Sequence, residues 1–166
     1  RVLPWTGSAI EESQRFLLQL NGAADRASMA QRMWCESQGV GERIPVQVFG
    51  DAERDALLKA MRSEYAVRSS KGGAWVLVGC QRPLPANADM ALVWGPGIAA
   101  QADPATLTQG AQRFRFKVRA PLTAEFSCER ERANAPCLPI RPLRLSFSEP
   151  VPRELALQAQ LRAADG

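Results

Sequence analysis

Arg113-Phe114-Arg115-Phe116-Lys117-Val118-Arg119 alternates cation and apolar residue without a break. A period of two puts every second side chain on one face of a β-strand. The stretch therefore predicts a strand over Phe114–Val118, its apolar residues toward a core and its cations toward solvent. Comparable runs lie on both sides. Arg15 to Leu20 sets Phe16, Leu18 and Leu20 on one face, and Met33 to Glu36, Ile44 to Phe49, Trp75 to Cys80, Met90 to Trp94, Ala124 to Cys128 and Leu143 to Phe147 follow the same pattern. Turn-forming clusters separate them: Asn21-Gly22, Gly39-Val40-Gly41, Lys71-Gly72-Gly73, Pro83-Leu84-Pro85 and Gly95-Pro96-Gly97. Eight short strands at this spacing predict a mainly β chain folded as an antiparallel β-sandwich. One short helix interrupts them. Asp51 is placed to cap Ala52 to Arg62, where Leu57, Leu58 and Met61 make one apolar stripe. A shorter helical turn is expected at Asp25 to Gln31.

The chain has 166 residues and a mass of 18.1 kDa, enough for one ordinary domain or two small ones. Hydrophobic residues make up 46% and charged residues 23%, which excludes a disordered tail, a collagen-like fibre and a low-complexity linker. The longest apolar run, Ala74 to Val78, is strand-sized and far short of the roughly 18 residues of a membrane helix. A faint repeat relates Phe16-Leu17-Leu18-Gln19-Leu20 to Leu143-Arg144-Leu145-Ser146-Phe147. In both, an alternating strand is followed by a turn and helix-prone sequence. The reading is a whole sandwich over residues 1–119 and the start of a second unit, possessing only part of its strands, over 120–166.

There is no histidine. This removes the Ser-His-Asp and Cys-His nucleophile arrangements, the commonest general base and the commonest zinc ligand. An enzyme built without histidine needs converging carboxylates, lysines or a bound cofactor, and the sequence announces none. No catalytic, cofactor-binding or metal-binding residue is assigned, and the chain is read as not an enzyme. Net charge is +4. Between Ala111 and Arg144 stand eight basic residues and three acids, a local balance of +5 that leaves −1 for the rest. No nucleic-acid motif accompanies the basic stretch Arg113 to Arg119, so it reads as the solvated face of its strand, with binding to an acidic surface as the other reading.

The four cysteines are Cys35, Cys80, Cys128 and Cys137. Without histidine or a Cys-x-x-Cys pair they do not read as zinc or redox motifs. Cys128 and Cys137 flank a polar loop and are placed to close it, which leaves Cys35 with Cys80. Chain entropy gives about 4 kcal/mol for the longer closure and a little under 3 for the shorter. Two disulfides imply an oxidising compartment; four buried thiols are the alternative. Arg1-Val2-Leu3-Pro4-Trp5 has no signal-peptide character, so an exported protein is represented here by mature or excised sequence.

Three further constellations have a bland and a sharp reading. Cys35-Glu36-Ser37-Gln38 sets cysteine and glutamine three apart, the spacing of an internal thioester, but its glutamate is one place too early and Trp34 stands where glycine usually precedes the cysteine. Half of a disulfide is the better reading. Trp5, Trp34, Trp75 and Trp94 either build a sugar-stacking platform or, for the three in strand-like runs, fill a core. Glu125, Glu129 and Glu131 are interleaved with arginines and read as solvated charge pairs.

Several strings are familiar in their order. Trp34-Cys35-Glu36, Gly39-Val40-Gly41-Glu42-Arg43-Ile44-Pro45-Val46, Cys80-Gln81-Arg82-Pro83-Leu84-Pro85 and Leu92-Val93-Trp94-Gly95-Pro96-Gly97-Ile98-Ala99 come first. They are followed by Phe114-Arg115-Phe116-Lys117-Val118-Arg119, Phe126-Ser127-Cys128-Glu129-Arg130, Cys137-Leu138-Pro139 and Leu145-Ser146-Phe147-Ser148-Glu149-Pro150-Val151. Together they resemble the N-terminal region of bacterial alpha-2-macroglobulin-like proteins, over about residues 13–155. The resemblance implies serial Ig-like, macroglobulin-type β-sandwiches in a periplasmic or cell-envelope protein that entraps attacking proteases once they cleave a bait region. Neither bait nor thioester lies in this segment. What the resemblance carries over is the sandwich fold and the cysteines as disulfides. The segment is then scaffold, with neighbouring domains of the same longer chain as partners, proteases as targets of the whole protein, and an envelope partner as a further expectation. An Ig-like adhesion or cell-wall-binding module is the competing reading, and exposed tryptophans favour it.

Overall fold

Alternation along Gln112–Val118 becomes a strand with Phe116 and Val118 buried and its cations exposed. The computed structural model describes residues 1–61 and 74–160. The chain divides into two compact units, Arg1–Ala120 and Pro121–Gly166. In chain order the first holds β1 (Val2–Leu3), β2 (Ala9–Ile10), β3 (Arg15–Leu20), α1 (Arg26–Arg32), β4 (Met33–Ser37), β5 (Ile44–Val48), α2 (Asp51–Ala60), β6 (Ala74–Cys80), β7 (Asp89–Trp94) and β8 (Gln112–Val118). The second holds β9 (Ala124–Ser127), β10 (Arg144–Phe147) and α3 (Arg153–Ala156).

The eight strands of the first unit are hydrogen-bonded in the order β1-β3-β6-β5-β4-β7-β8-β2. They make two layers because β5 changes partner along its length. Its first residues pair with β4, Ile44 opposite Cys35 and Pro45 opposite Trp34. Its last three pair with β6, Val46 opposite Cys80 through Val48 opposite Val78. Pro45 has no N–H to give a ladder, so it suits the point where the strand leaves one layer for the other. The layers are β1-β3-β6 with the end of β5, and β4-β7-β8-β2. Their order is that of an immunoglobulin-type sandwich, with β1, β3, β6 and β5 in the places of A, B, E and D, and β4, β7 and β8 in those of C, F and G.

Two differences from the expected antiparallel sandwich concern its edges. Strands β1 and β2 escape a reading by alternation because each has only two residues. The segment between them carries the chain from one edge to the other, and β2 runs parallel to β8, Ala9 opposite Lys117 and Ile10 opposite Val118. The remaining pairings of this sheet are antiparallel.

Between the layers lies one core, built around Phe16, Leu18, Ile44, Val78, Leu92 and Phe116. The rings of Phe16 and Phe116 sit 4.9 Å apart, joining β3 to β8 across it. Leu17, Trp75 and Leu77 point the other way and are covered by Leu57 and Leu58 of α2, with Leu3 and Phe49 beside them. This second cover explains why Trp75-Val76-Leu77-Val78 is apolar without alternation: β6 is buried on both faces.

The helices refine the expectations. Asp25 is an N-cap whose carboxylate accepts from Ser28 N–H at 2.7 Å, and the expected turn is the full helix α1. For α2 the cap is Gly50, whose N–H donates to the Glu53 carboxylate. Asp51 is instead the first helical residue and holds Arg26 and Arg54, fixing α1 and α2 by charge. Leu57 and Leu58 form a half-buried stripe, whereas Met61, expected with them, is exposed because the helix ends at Ala60. The expected end at Arg62 and the turn Lys71-Gly72-Gly73 lie outside the described residues. Among the described residues no helix is long and apolar enough to cross a membrane.

In the second unit β9 and β10 form an antiparallel pair, Leu145 opposite Phe126 and Phe147 opposite Ala124. These four share one face, while Arg144, Ser127, Glu125 and Ser146 share the other. Helix α3 starts at Arg153 and α1 at Arg26, the 127-residue offset of the sequence repeat.

Candidate functional site

The outer face of β4-β7-β8 carries a connected group of polar side chains. Register sets Trp34, Val93 and Arg113 in one row across the three strands, and Glu36, Ala91 and Arg115 in the next. Residues two apart on a strand share a face, so Trp34 and Glu36 stand side by side. Trp34 Nε1–H donates to Glu36 Oε1 at 2.8 Å, and the Arg113 guanidinium donates to the same carboxylate at 3.3 and 3.4 Å. Arg43, from the loop before β5, lies with its guanidinium carbon 4.0 Å from the centre of the Trp34 ring. The hydrogen bond from Trp34, then that from Arg113, holds the Glu36 carboxyl below its ordinary value against the opposing effect of burial; the charges of Arg113 and Arg43 add to this.

Ion pairs absorb most of the basic stretch read from the sequence. Arg113 meets Glu36, Lys117 meets Asp89 at 3.3 Å and Arg119 meets Glu11 at 3.1 Å. The Arg115 guanidinium has no side-chain partner among the described residues. Two shallow hollows open on this face. One of about 510 Å³ is lined by Glu36, Arg43, Ala91 and Arg115 among others, and one of about 630 Å³ by Arg32, Trp34, Arg43 and Arg113.

Chemically this face is suited to holding charge rather than to moving protons. Glu36 is tied to an indole and a guanidinium, both donors, which favours its ionised form and makes it a poor general acid near neutral pH. Ser37 is buried, and its hydroxyl donates to the Gln38 carbonyl at 3.4 Å. Among the described residues no group of three or more carboxylates or cysteines is arranged to hold a metal.

The four cysteines form two disulfides. Cys35 pairs with Cys80 and Cys128 with Cys137. Cys35 is thus unavailable to Gln38, and the thioester-like spacing has no thioester chemistry. Cys35–Cys80 joins β4 of one layer to β6 of the other, next to the crossing strand β5. Cys128–Cys137 closes the loop after β9, where Glu129 pairs with Arg141 at 3.3 Å and Arg130 donates to Cys128 Sγ. Two disulfides indicate an oxidising, non-cytoplasmic setting.

The tryptophans are dispersed. Trp75 and Trp94 are buried, in the outer cover and the central core respectively. Trp34, expected in the core, is half-buried under Arg43, because Met33 and Cys35 take the inward positions of β4. Trp5 is 51% exposed, with the Arg1 guanidinium 5.2 Å from its ring. Gly95-Pro96-Gly97 is a turn, with Gly97 at φ 82°.

Of this site the sequence announced the cations of β8 but not the indole–carboxylate pair of Trp34 and Glu36, although residues two apart on a strand share a face. It gave no sign of Arg43, which directly precedes β5 and reaches Trp34 through the antiparallel pairing of β5 with β4. The chain matches no family model, no curated protein and no solved structure.

Proposed function

We propose that this chain is a structural segment at the N-terminal end of a bacterial envelope alpha-2-macroglobulin-like protease inhibitor, in which bait and any thioester lie elsewhere. The observation that carries the reading is the Cys35–Cys80 staple across an immunoglobulin-type sandwich. Serial sandwiches exposed to proteases outside the cytoplasm need resistance to local opening, and a cross-layer disulfide supplies it by restricting the unfolded chain.

The placement of the resembling strings is a second support. Trp34-Cys35-Glu36 lies on β4, Ile44-Pro45-Val46 on β5, Leu92-Val93-Trp94 on β7, Phe114 to Val118 on β8, and Leu145-Ser146-Phe147 on β10. Parts of the resembling strings thus lie on strands and at the disulfides, which supports the reading, while other parts lie in the connecting loops. In this reading the segment carries no chemistry. It packs on neighbouring domains of a longer polypeptide and transmits the rearrangement that follows bait cleavage.

The test is the mass of the native polypeptide bearing this segment, with and without methylamine, which opens a thioester and stays attached. A chain many times 18.1 kDa is expected, and methylamine uptake would place it among the covalent trappers. A native chain near 18.1 kDa ends the proposal in favour of a stand-alone adhesion or wall-binding module.

A further inference from the structure

Strand β8 is paired along its whole length with β7, but β2 covers only its far end, at Lys117 and Val118. The hydrogen bonds around that end reveal which groups face outward. Arg115 C=O accepts from Gly7 N–H at 2.8 Å, Lys117 N–H reaches Ser8 C=O at 3.4 Å, and Arg119 N–H donates to Ile10 C=O at 2.9 Å. Odd-numbered residues of β8 therefore turn their main-chain groups away from β7. Alternation then leaves Arg113 N–H, Arg113 C=O and Arg115 N–H on an edge with no main-chain partner among the described residues.

The side chains of the same residues give this edge a sign. Arg113 and Arg115 project on the outer face, with Arg32 and Arg43 around the adjoining hollows. Glu36 is engaged by Arg113 and Trp34, while Arg32 and Arg115 have no carboxylate partner among the described residues. A second copy of β8 on this edge would set guanidinium against guanidinium, so the charge disfavours self-pairing. A strand with a carboxylate opposite Arg115 would instead meet a cation that has no carboxylate partner among the described residues. An open main-chain edge fits a polypeptide, not a lipid headgroup or a nucleic acid, since only a polypeptide offers matching N–H and C=O groups in register.

We propose that the open half of β8 is a strand-addition site for an extended acidic polypeptide segment, held by the main chain of Arg113 and Arg115 and selected by the Arg115 guanidinium. The site goes beyond the scaffold role and does not depend on it.

The experiment titrates the ¹⁵N-labelled 166-residue chain with a capped eight-residue peptide of alternating glutamate and threonine. Two control peptides accompany it, one with glutamine for glutamate and one N-methylated at alternate residues. The expected result is amide shifts concentrated at Arg113 and Arg115, at least ten-fold weaker binding of each control, and at least three-fold weaker binding by Arg115→Gln. That variant changes an exposed side chain, and its undisturbed amide spectrum confirms the fold. Equal binding of the N-methylated peptide would overturn strand addition, and equal binding of the glutamine peptide would overturn charge selection. Concentration-dependent shifts at Arg113 without peptide would give the edge to a second copy and overturn the proposal as well.

Discussion

Cys35 on β4 and Cys80 at the end of β6 have their Cα atoms 6.0 Å apart, although β5 lies between their strands in the hydrogen-bond order. Neighbouring strands are spaced about 4.8 Å, so two strands flanking a third in a flat sheet would stand roughly 9.6 Å apart. The shorter distance means that the sheet turns back on itself at β5. The disulfide closes that fold, linking the layers beside the strand that passes from one to the other.

The Cys35–Cys80 bond spans 45 positions and the Cys128–Cys137 bond 9. Restriction of the unfolded chain gives about 4 kcal/mol for the first and a little under 3 for the second. Replacing Cys35 and Cys80 together by alanine is expected to lower unfolding stability by about 2–5 kcal/mol. Urea denaturation followed by tryptophan fluorescence checks it, because Trp75 and Trp94 are buried in the same unit. An unchanged midpoint would refute the staple's role.

Phe16 is wholly buried and packs on Phe116 across the layers. Phe16→Ala removes the ring contact between β3 and β8 and is expected to cost about 3–5 kcal/mol. Thermal unfolding of the two proteins compares them; a loss under about 1 kcal/mol would mean that the layers do not meet there.

Glu36 titrates below its ordinary value of 4.5 in the fold. A lowered carboxylate stabilises above its unfolded value, and the contribution is lost as pH falls through the folded one. Its side chain is 39% exposed, so the effect is that of a partly solvated pair, below about 1 kcal/mol. The stability difference between the native chain and Glu36→Gln is expected to be fullest near neutral pH and to shrink below pH 4.5. Urea midpoints at pH 7 and pH 3 measure it, and a difference that stays constant would remove the ion pair from the account.

Leu57 and Leu58 form the lid over Trp75. Changing both to alanine is expected to shift tryptophan emission to the red and to lower stability by about 2 kcal/mol or more. Emission that does not move would mean that Trp75 is covered by other groups.

How far the sequence discloses this molecule follows from the range of the forces involved. Phe16-Leu17-Leu18 and Phe114-Arg115-Phe116 display their strands because local alternation records which face meets the core. Val2–Leu3 and Ala9–Ile10 do not, since two residues carry no period and their pairing depends on strands more than ten positions away. Asp51 reads as a cap by residue type, yet the chain begins the helix one residue earlier and uses its carboxylate for Arg26 and Arg54. The disulfides were legible from count and loop placement. The site was only half legible: β8 shows its cations, but their neutralisation by Glu36, Asp89 and Glu11 is a property of register, which no local pattern records.

The most direct test of the scaffold reading is made on the native polypeptide, captured through this segment and incubated with trypsin. Entrapment predicts that bound trypsin keeps its activity on a small chromogenic peptide and loses it on a large protein substrate. Equal loss of both activities, or of neither, would contradict the account.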